Sequence, residues 1–447
     1  MKTLAVKLLN GQLGKGLARV VGEPKSLRFR LARDTVGVMV IQAISMGLTF
    51  ATSVVLARLL GVREFGLYSL GMSVLGLLVV PATLGFPQLL VREIAAYRVK
   101  DDWNLIQGLL RFAQRTSFLA SIVIALLGSL FLWLLAGHFS EEAMQVLILA
   151  FVALPFWALL ELQGASLRGF EQILAGQWVS SAMRPLCFLL MIGACWLFFG
   201  RIAKASLALG LHILATGVAS AFAFYLLRSQ LHCSVPSSAE SQNTAVWIRS
   251  SLSLALLTLL NVISQYVGIL MLGWMRSADE VGLYKAAYQT ASVIPFAMMA
   301  VNLVISPSMS QLHTLGDRPQ LRRLVILATG MSLAFAVPFV VMFTGGGSWF
   351  LEQVFGAEFV PAASPLVILT VASLVQITCG SLWQMLLMVG YEKSVALITA
   401  IGTGMHLIAS AVFIPRWGPQ GAAAAMITYF APISVLTFLL IYVKRII

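Results

Sequence analysis

The sequence predicts an all-α polytopic membrane protein, with about twelve transmembrane helices in two six-helix bundles related by a pseudo-two-fold axis along the membrane normal. Three observations predict it. Hydrophobic residues make up 59% of the 447 and charged residues only 11%, with a mean hydropathy of +0.92, far outside the range of water-soluble globular chains. Apolar stretches of about 20 residues, the length that crosses a bilayer, recur along the whole chain. The chain also repeats itself 216 residues on: Glu64-Phe65-Gly66-Leu67-Tyr68 returns as Glu280-Val281-Gly282-Leu283-Tyr284, each copy joining one apolar stretch to the next.

In chain order the predicted spans cover residues 35–57, 66–86, 116–136, 143–163, 174–199, 205–227, 252–275, 283–306, 323–344, 363–389, 394–414 and 419–443. Residues 1–34 are a basic cytoplasmic segment in which Leu4, Leu8, Leu13 and Leu17 lie near helical spacing, interleaved with Lys2, Lys7, Lys15 and Arg19. A helix lying on an anionic leaflet and a basic tail that only sets topology both account for it. Residues 35–228 form the first bundle and 248–447 the second. Between them, 229–247 contains the most polar run of the chain, Cys233-Ser234-Val235-Pro236-Ser237-Ser238 onward, and reads as a cytoplasmic linker. Six is even, so both bundles enter the membrane in the same direction and the repeat is parallel.

Orientation follows from the basic residues. With the N-terminus inside, 22 of the 30 Lys and Arg fall on inner segments and seven on outer ones. Positive loops resist translocation, so both termini are placed in the cytoplasm and the chain in a cell inner or plasma membrane. The net charge of +13 follows from this bias, and nucleic acid is not an expected partner. No cleavable signal is visible. Cys187, Cys195, Cys233 and Cys379 lack disulfide or metal spacing, and His212 and His406 are single imidazoles, so neither metal nor cofactor is expected. Pro81, Pro155, Pro185, Pro295, Pro338 and Pro432 fall within spans and each removes a backbone hydrogen bond.

The outer loops are short. The longest, 345–360, starts with three glycines and offers Glu352 and Glu358 but no His or Asp. With no nucleophile, paired carboxylates or metal cluster at workable spacing, an enzyme is not expected. A membrane polymerase or ligase is the competing class.

Polar residues inside the spans point to the work. Gln42, Ser45 and Thr49 share one face of the first span, and the 216-residue shift lays them on Thr258, Asn261 and Gln265 of the seventh. Ser373, Gln376, Gly380 and Gln384 mark the tenth. Such stripes avoid lipid, so they either glue helices together or line water. Four cations lie within or at the edge of spans: Arg58, Arg184, Arg276 and Lys285, the last on a face continued by Gln289 and Ser292. Among the acids only Glu161 comes near the hydrophobic zone. These residues predict a cationic central cavity for an anionic cargo, since Arg binds phosphate oxygens through paired donors. For Arg58 and Arg276, snorkelling to outer headgroups is the competing reading. Arg184, in mid-span beside Pro185, has no such excuse.

One family resemblance covers nearly the whole chain after residue 34. The runs Ala57-Arg58-Leu59-Leu60-Gly61-Val62-Arg63-Glu64-Phe65-Gly66-Leu67-Tyr68, Leu84-Gly85-Phe86 and Val91-Arg92-Glu93-Ile94-Ala95 resemble the N-terminal signature of the polysaccharide transporter family. The copy at Glu280 to Tyr284 and the run Ile414-Pro415-Arg416-Trp417-Gly418-Pro419-Gln420-Gly421 are similar to its pattern too. These are oligosaccharide flippases of the superfamily that also holds multidrug and toxic-compound extruders. The resemblance implies a monomeric carrier that moves undecaprenyl-diphosphate-linked repeat units to the outer leaflet by alternating access, for O-antigen, capsule or exopolysaccharide. It also implies a polymerase and a chain-length regulator as partners, and coupling to an ion gradient, for which this chain shows no clear mid-span carboxylate. A drug extruder of the same superfamily is the same-fold alternative, and a lipid II flippase would carry two further spans.

Overall fold

The computed structural model describes residues 27–135, 137, 140–200, 204–230 and 244–444. The basic segment before residue 27, Cys233 and most of the linker lie outside the described residues.

All described secondary structure is helical. Nine helices are long and apolar enough to cross a membrane among the described residues, or ten when the bent pair Ala278–Ala291 and Phe296–Ser306, at 45°, counts as one span. Two of them are too long to be single crossings. Leu27–Thr83 and Glu392–Lys444 hold 57 and 53 residues, about 80 Å or more at 1.5 Å per residue, against a hydrocarbon core of about 30 Å. Each is broken by a glycine: Gly61 at φ 73° and ψ 176°, Gly418 at φ 52° and ψ −126°, a backbone that only a residue without Cβ adopts at little cost. Dividing both gives twelve crossings: 27–60, 62–83, Trp103–Leu134, Glu141–Gly169, 173–199, Ala205–Arg228, Thr244–Met275, 278–314, Arg318–Gly345, Ala363–Met388, 392–417 and 419–444. An even number puts both ends of the described chain on one face, here the terminal face; the other is the distal face.

The second crossing stops at Thr83, and after a turn through Leu84 and Gly85, both at positive φ, the chain starts a separate helix, Phe86–Val99. No membrane span is expected here, because Arg92, Glu93 and Arg98 interrupt the apolar run. Periodicity shows the helix, since Phe86, Leu89, Leu90 and Ile94 are buried on one face while Arg92 is exposed. The long distal connection is also folded, into the helix Gly347–Val354 and the 3-10 turn Ala357–Ala362. Of the six prolines, Pro81, Pro155, Pro338 and Pro432 lie inside continuous helices. Pro295 sits at the bend of the eighth crossing, and Pro185 comes just after a π-helical turn, Trp178–Met183.

The repeated motif sits where the two halves meet at the distal face. A Cβ on Gly66 would stand 1.8 Å from the Ala278 carbonyl oxygen, and one on Gly282 would stand 2.2 Å from that of Val62. Residues 62 and 66 are the 216-residue partners of 278 and 282, so the contact is reciprocal and the pseudo-two-fold axis runs through it. In lipid, helices gain from close backbone approach rather than from hiding apolar surface, and glycine permits that approach.

The glutamates of the motif act within their own halves. Glu64 Oε2 accepts from the backbone N–H of Ala205 at 2.6 Å, at the start of the sixth crossing, and Glu280 lies against Gly418, which begins the twelfth. A carboxylate at a helix N-terminus favours the dipole, and Glu64 also takes up an orphan donor, whereas Glu280 Oε2 accepts no hydrogen bond among the described residues. Glu64→Ala is expected to cost about 1–2 kcal/mol, seen as a lower unfolding temperature in detergent, whereas Glu64→Gln keeps an acceptor and loses less. Equal melting of all three proteins would contradict this role.

Candidate functional site

A cavity of about 880 Å³ lies between the halves, at the upper end of the range for small-molecule sites. The first and fifth crossings wall one side, the seventh, eighth and tenth to twelfth the other. It runs from mid-membrane, at Thr49, Arg184 and Gln289, toward the terminal face, at Val38, Ser306 and Gln384. None of the distal contact residues Val62, Gly66, Ala278 or Gly282 lines it.

The structure brings Gln42, Ser45, Thr49, Arg184, Asn261 and Gln289 to this one cavity. It places the other expected site residues elsewhere, which corrects the sequence reading. Arg58 donates through Nε to the Val354 carbonyl at 2.8 Å and through Nη2 to that of Gln353, tying the first crossing to the distal helix 347–354. Arg276 donates to the carbonyls of Ile414 at 3.3 Å and Pro415 at 2.8 Å and lies 3.8 Å from Glu280. Both guanidinium groups reach helix-end carbonyls at the membrane edge, where long cationic side chains are best solvated. Lys285 stands 5.9 Å from the Tyr288 ring centroid and does not line the cavity. The expected ring of cations is therefore reduced to Arg184.

Pseudo-symmetry also fails locally. Ser45 and Asn261 both line the cavity, but Thr258 accepts a hydrogen bond from Gln88 Nε2 at 3.1 Å and Gln265 is exposed outside the lining. For Thr258 the cause is the helix Phe86–Val99, which packs on the seventh crossing; Trp247 Nε1 of that crossing likewise donates to Tyr97 at 3.1 Å.

Arg184 owes its position to the π turn before it. One extra residue in a turn rotates the downstream side chains by about 100°, and Pro185 needs no backbone partner. The guanidinium carbon stacks 3.6 Å above the Trp157 ring, a cation–π contact. Trp157 in turn donates Nε1–H to Glu161 Oε1 at 3.2 Å, and Glu161 lies within electrostatic reach of Arg184. Nη1 of Arg184 is sealed from solvent and has no partner. An unsatisfied donor on a buried cation is costly.

The tenth crossing supplies Gln376, Gly380, Trp383 and Gln384 on one face. Across from it, Asn302 Oδ1 accepts from Ser381 Oγ at 2.9 Å and Ser306 Oγ from Gln384 Nε2 at 3.0 Å. Trp157, Asn302 and Trp383 escaped the sequence reading. Trp157 and Glu161, one helical turn apart, were a legible signal for the first; the aromatic residues were lost among many that face lipid.

Residues 31–313 match the family model described as polysaccharide biosynthesis protein. The chain belongs to that family. This family member is 20% identical over 406 residues to the probable low-salt glycan biosynthesis flippase Agl15 of Haloferax volcanii, covering 91% of this chain and 82% of that one. Among solved structures it is similar to the lipid II flippase MurJ in an inward closed conformation, with a TM-score of 0.71, 12% identity and coverage of 92% and 88% of the two chains. It is also similar to an inward-facing MATE family multidrug transporter of the MOP superfamily, with a TM-score of 0.68, 13% identity and coverage of 92% and 98%. At such identities the two structures establish the shared fold. The protein is a multi-pass membrane protein of the flippase type.

Proposed function

We propose that the protein carries undecaprenyl-diphosphate-linked oligosaccharide repeat units from the cytoplasmic to the outer leaflet for cell-surface polysaccharide assembly, by alternating access and without covalent chemistry. The observation that carries this reading is the Arg184 side chain at the deep end of a polar cavity. A diphosphate offers the paired acceptor oxygens that a guanidinium fork binds. The cavity also has an apolar flank, where Val38, Met39 and Met46 of the first crossing face the same space as Met298, Met299 and Leu303 of the eighth. There a polyprenyl chain leaves the headgroup in the cavity and stays in lipid.

The positive-inside bias supports a cytoplasmic terminal face, so the present conformation is the loading one: distal contacts shut, cavity reaching toward the cytoplasm. A polymerase and chain-length regulator then act on the outer leaflet, and the carrier works as a single chain. A cationic drug is a poor fit, because Arg184, the one charged residue lining the cavity among the described residues, repels it. Reconstituted into proteoliposomes, the protein is expected to move a fluorescent undecaprenyl-diphosphate glycan across the bilayer at least about tenfold faster than protein-free vesicles, read by quenching with a membrane-impermeant reagent. Export of a cationic dye with no movement of the lipid-linked glycan would favour the extruder instead.

A further inference from the structure

We infer that the wall built by the eighth and tenth crossings is a binding subsite for uncharged sugars, so that the cargo glycan consists of neutral hexoses and N-acetylhexosamines rather than uronic or other acidic sugars. The inference rests on the flippase reading and deepens it. Among the described residues Arg184 is the one ionised side chain that lines the cavity. A diphosphate occupies that cation. A carboxylate on the glycan would enter the same low-dielectric space with no counter-ion, and an unpaired buried charge costs several kcal/mol.

What the cavity offers instead is amides. Gln42, Gln289 and Gln376 line it with side chains that make no hydrogen bond to another described residue. Within a membrane that is expensive unless water or a ligand completes them. Each carries a donor and an acceptor in one group, as a sugar hydroxyl does. On the facing helices the bonds from Gln384 Nε2 to Ser306 Oγ and from Ser381 Oγ to Asn302 Oδ1 fix two further amides. They leave the Gln384 carbonyl oxygen and the Asn302 amide nitrogen for a ligand. Trp383 stands one residue before Gln384 on the same wall, an aromatic surface suited to the apolar C–H face of a pyranose ring. The Arg184 guanidinium thus lies on the first half, while Trp383 and all of these amides except Gln42 lie on the second.

The test uses the full-length protein in proteoliposomes with three undecaprenyl-diphosphate cargoes: a neutral tetrasaccharide of glucose and N-acetylglucosamine, a tetrasaccharide of equal length with two glucuronic acids, and a single N-acetylglucosamine. The neutral tetrasaccharide is expected to cross at least about tenfold faster than the acidic one. Trp383→Ala and Gln376→Leu should each slow it about tenfold, with a smaller effect on the monosaccharide cargo, and an unchanged unfolding temperature in detergent shows that both variants fold. Gln376→Lys should narrow the gap between neutral and acidic cargo. Equal or faster crossing of the acidic tetrasaccharide, or equal slowing of all three cargoes by Trp383→Ala and Gln376→Leu, overturns the neutral-sugar subsite and leaves the flippase reading standing. Failure of the wild-type protein to move any of the three overturns that reading as well.

Discussion

Arg184→Ala is expected to reduce the rate of lipid-linked glycan flipping by about two orders of magnitude while leaving the folded protein as stable as before, or more so. The two halves of this expectation have different origins. A buried guanidinium that meets a phosphate contributes about 2–4 kcal/mol, since the bond is charge-assisted and shielded from water, and that is about 30- to 900-fold in binding. Without cargo, however, Arg184 holds an unpartnered Nη1 in the protein interior, offset by its stacking on Trp157 and by the attraction of Glu161. Removing a desolvated, half-satisfied charge is neutral or stabilising in such settings. Arg184→Lys keeps the charge and loses the fork, so it should fall between wild type and alanine. The measurements are flipping rate in proteoliposomes, surface glycan in cells, and unfolding temperature in detergent. Wild-type transport by the alanine variant would remove Arg184 from the site, and a large fall in melting temperature would make its role structural.

The second large effect belongs to the distal closure. Gly66→Val places a side chain where even a Cβ lies 1.8 Å from the Ala278 carbonyl oxygen. The obstacle is backbone, so no rotamer change relieves it. Overpacking of this kind costs about 2–3 kcal/mol, and if the cost falls on the closed form alone it lowers that population about 30- to 160-fold. The expected consequence is a cavity that opens at the distal face and transport that stalls. With Cys187, Cys195, Cys233 and Cys379 replaced and a single cysteine at position 45, an impermeant maleimide applied from the distal side should label Gly66→Val several-fold faster than its parent. Gly282→Val should behave alike, because its clash is with Val62, the pseudo-symmetric partner of Ala278. Unchanged labelling with normal transport in both variants would show that this contact is not a gate.

These two residues differ in how much of their role can be seen in the chain itself. Arg184 announces itself as a cation in mid-span, yet the π turn that aims it and the tryptophan beneath it are tertiary facts. Gly66 and Gly282 are visible as a repeat, but their contact with each other's helices is not. Arg58 and Arg276 show the opposite error. They have the right charge at the right depth, and both are consumed by backbone carbonyls.

The amino-acid sequence alone determined the membrane class, the number of crossings, the parallel relation of the halves, and the short list of polar residues that the bilayer would not tolerate on its surface. These are decided by length and hydropathy over some twenty residues, which the bilayer enforces one helix at a time. Tertiary structure alone decided which members of that list share a cavity. Gln42 and Thr258 are equivalent by repeat yet diverge in the fold, because the helix Phe86–Val99 packs on the seventh crossing and engages Thr258 there; Thr49 lines the cavity while its counterpart Gln265 is exposed outside it. A helix face acquires its meaning from the neighbour that covers it, and that neighbour is chosen by packing and not by local composition.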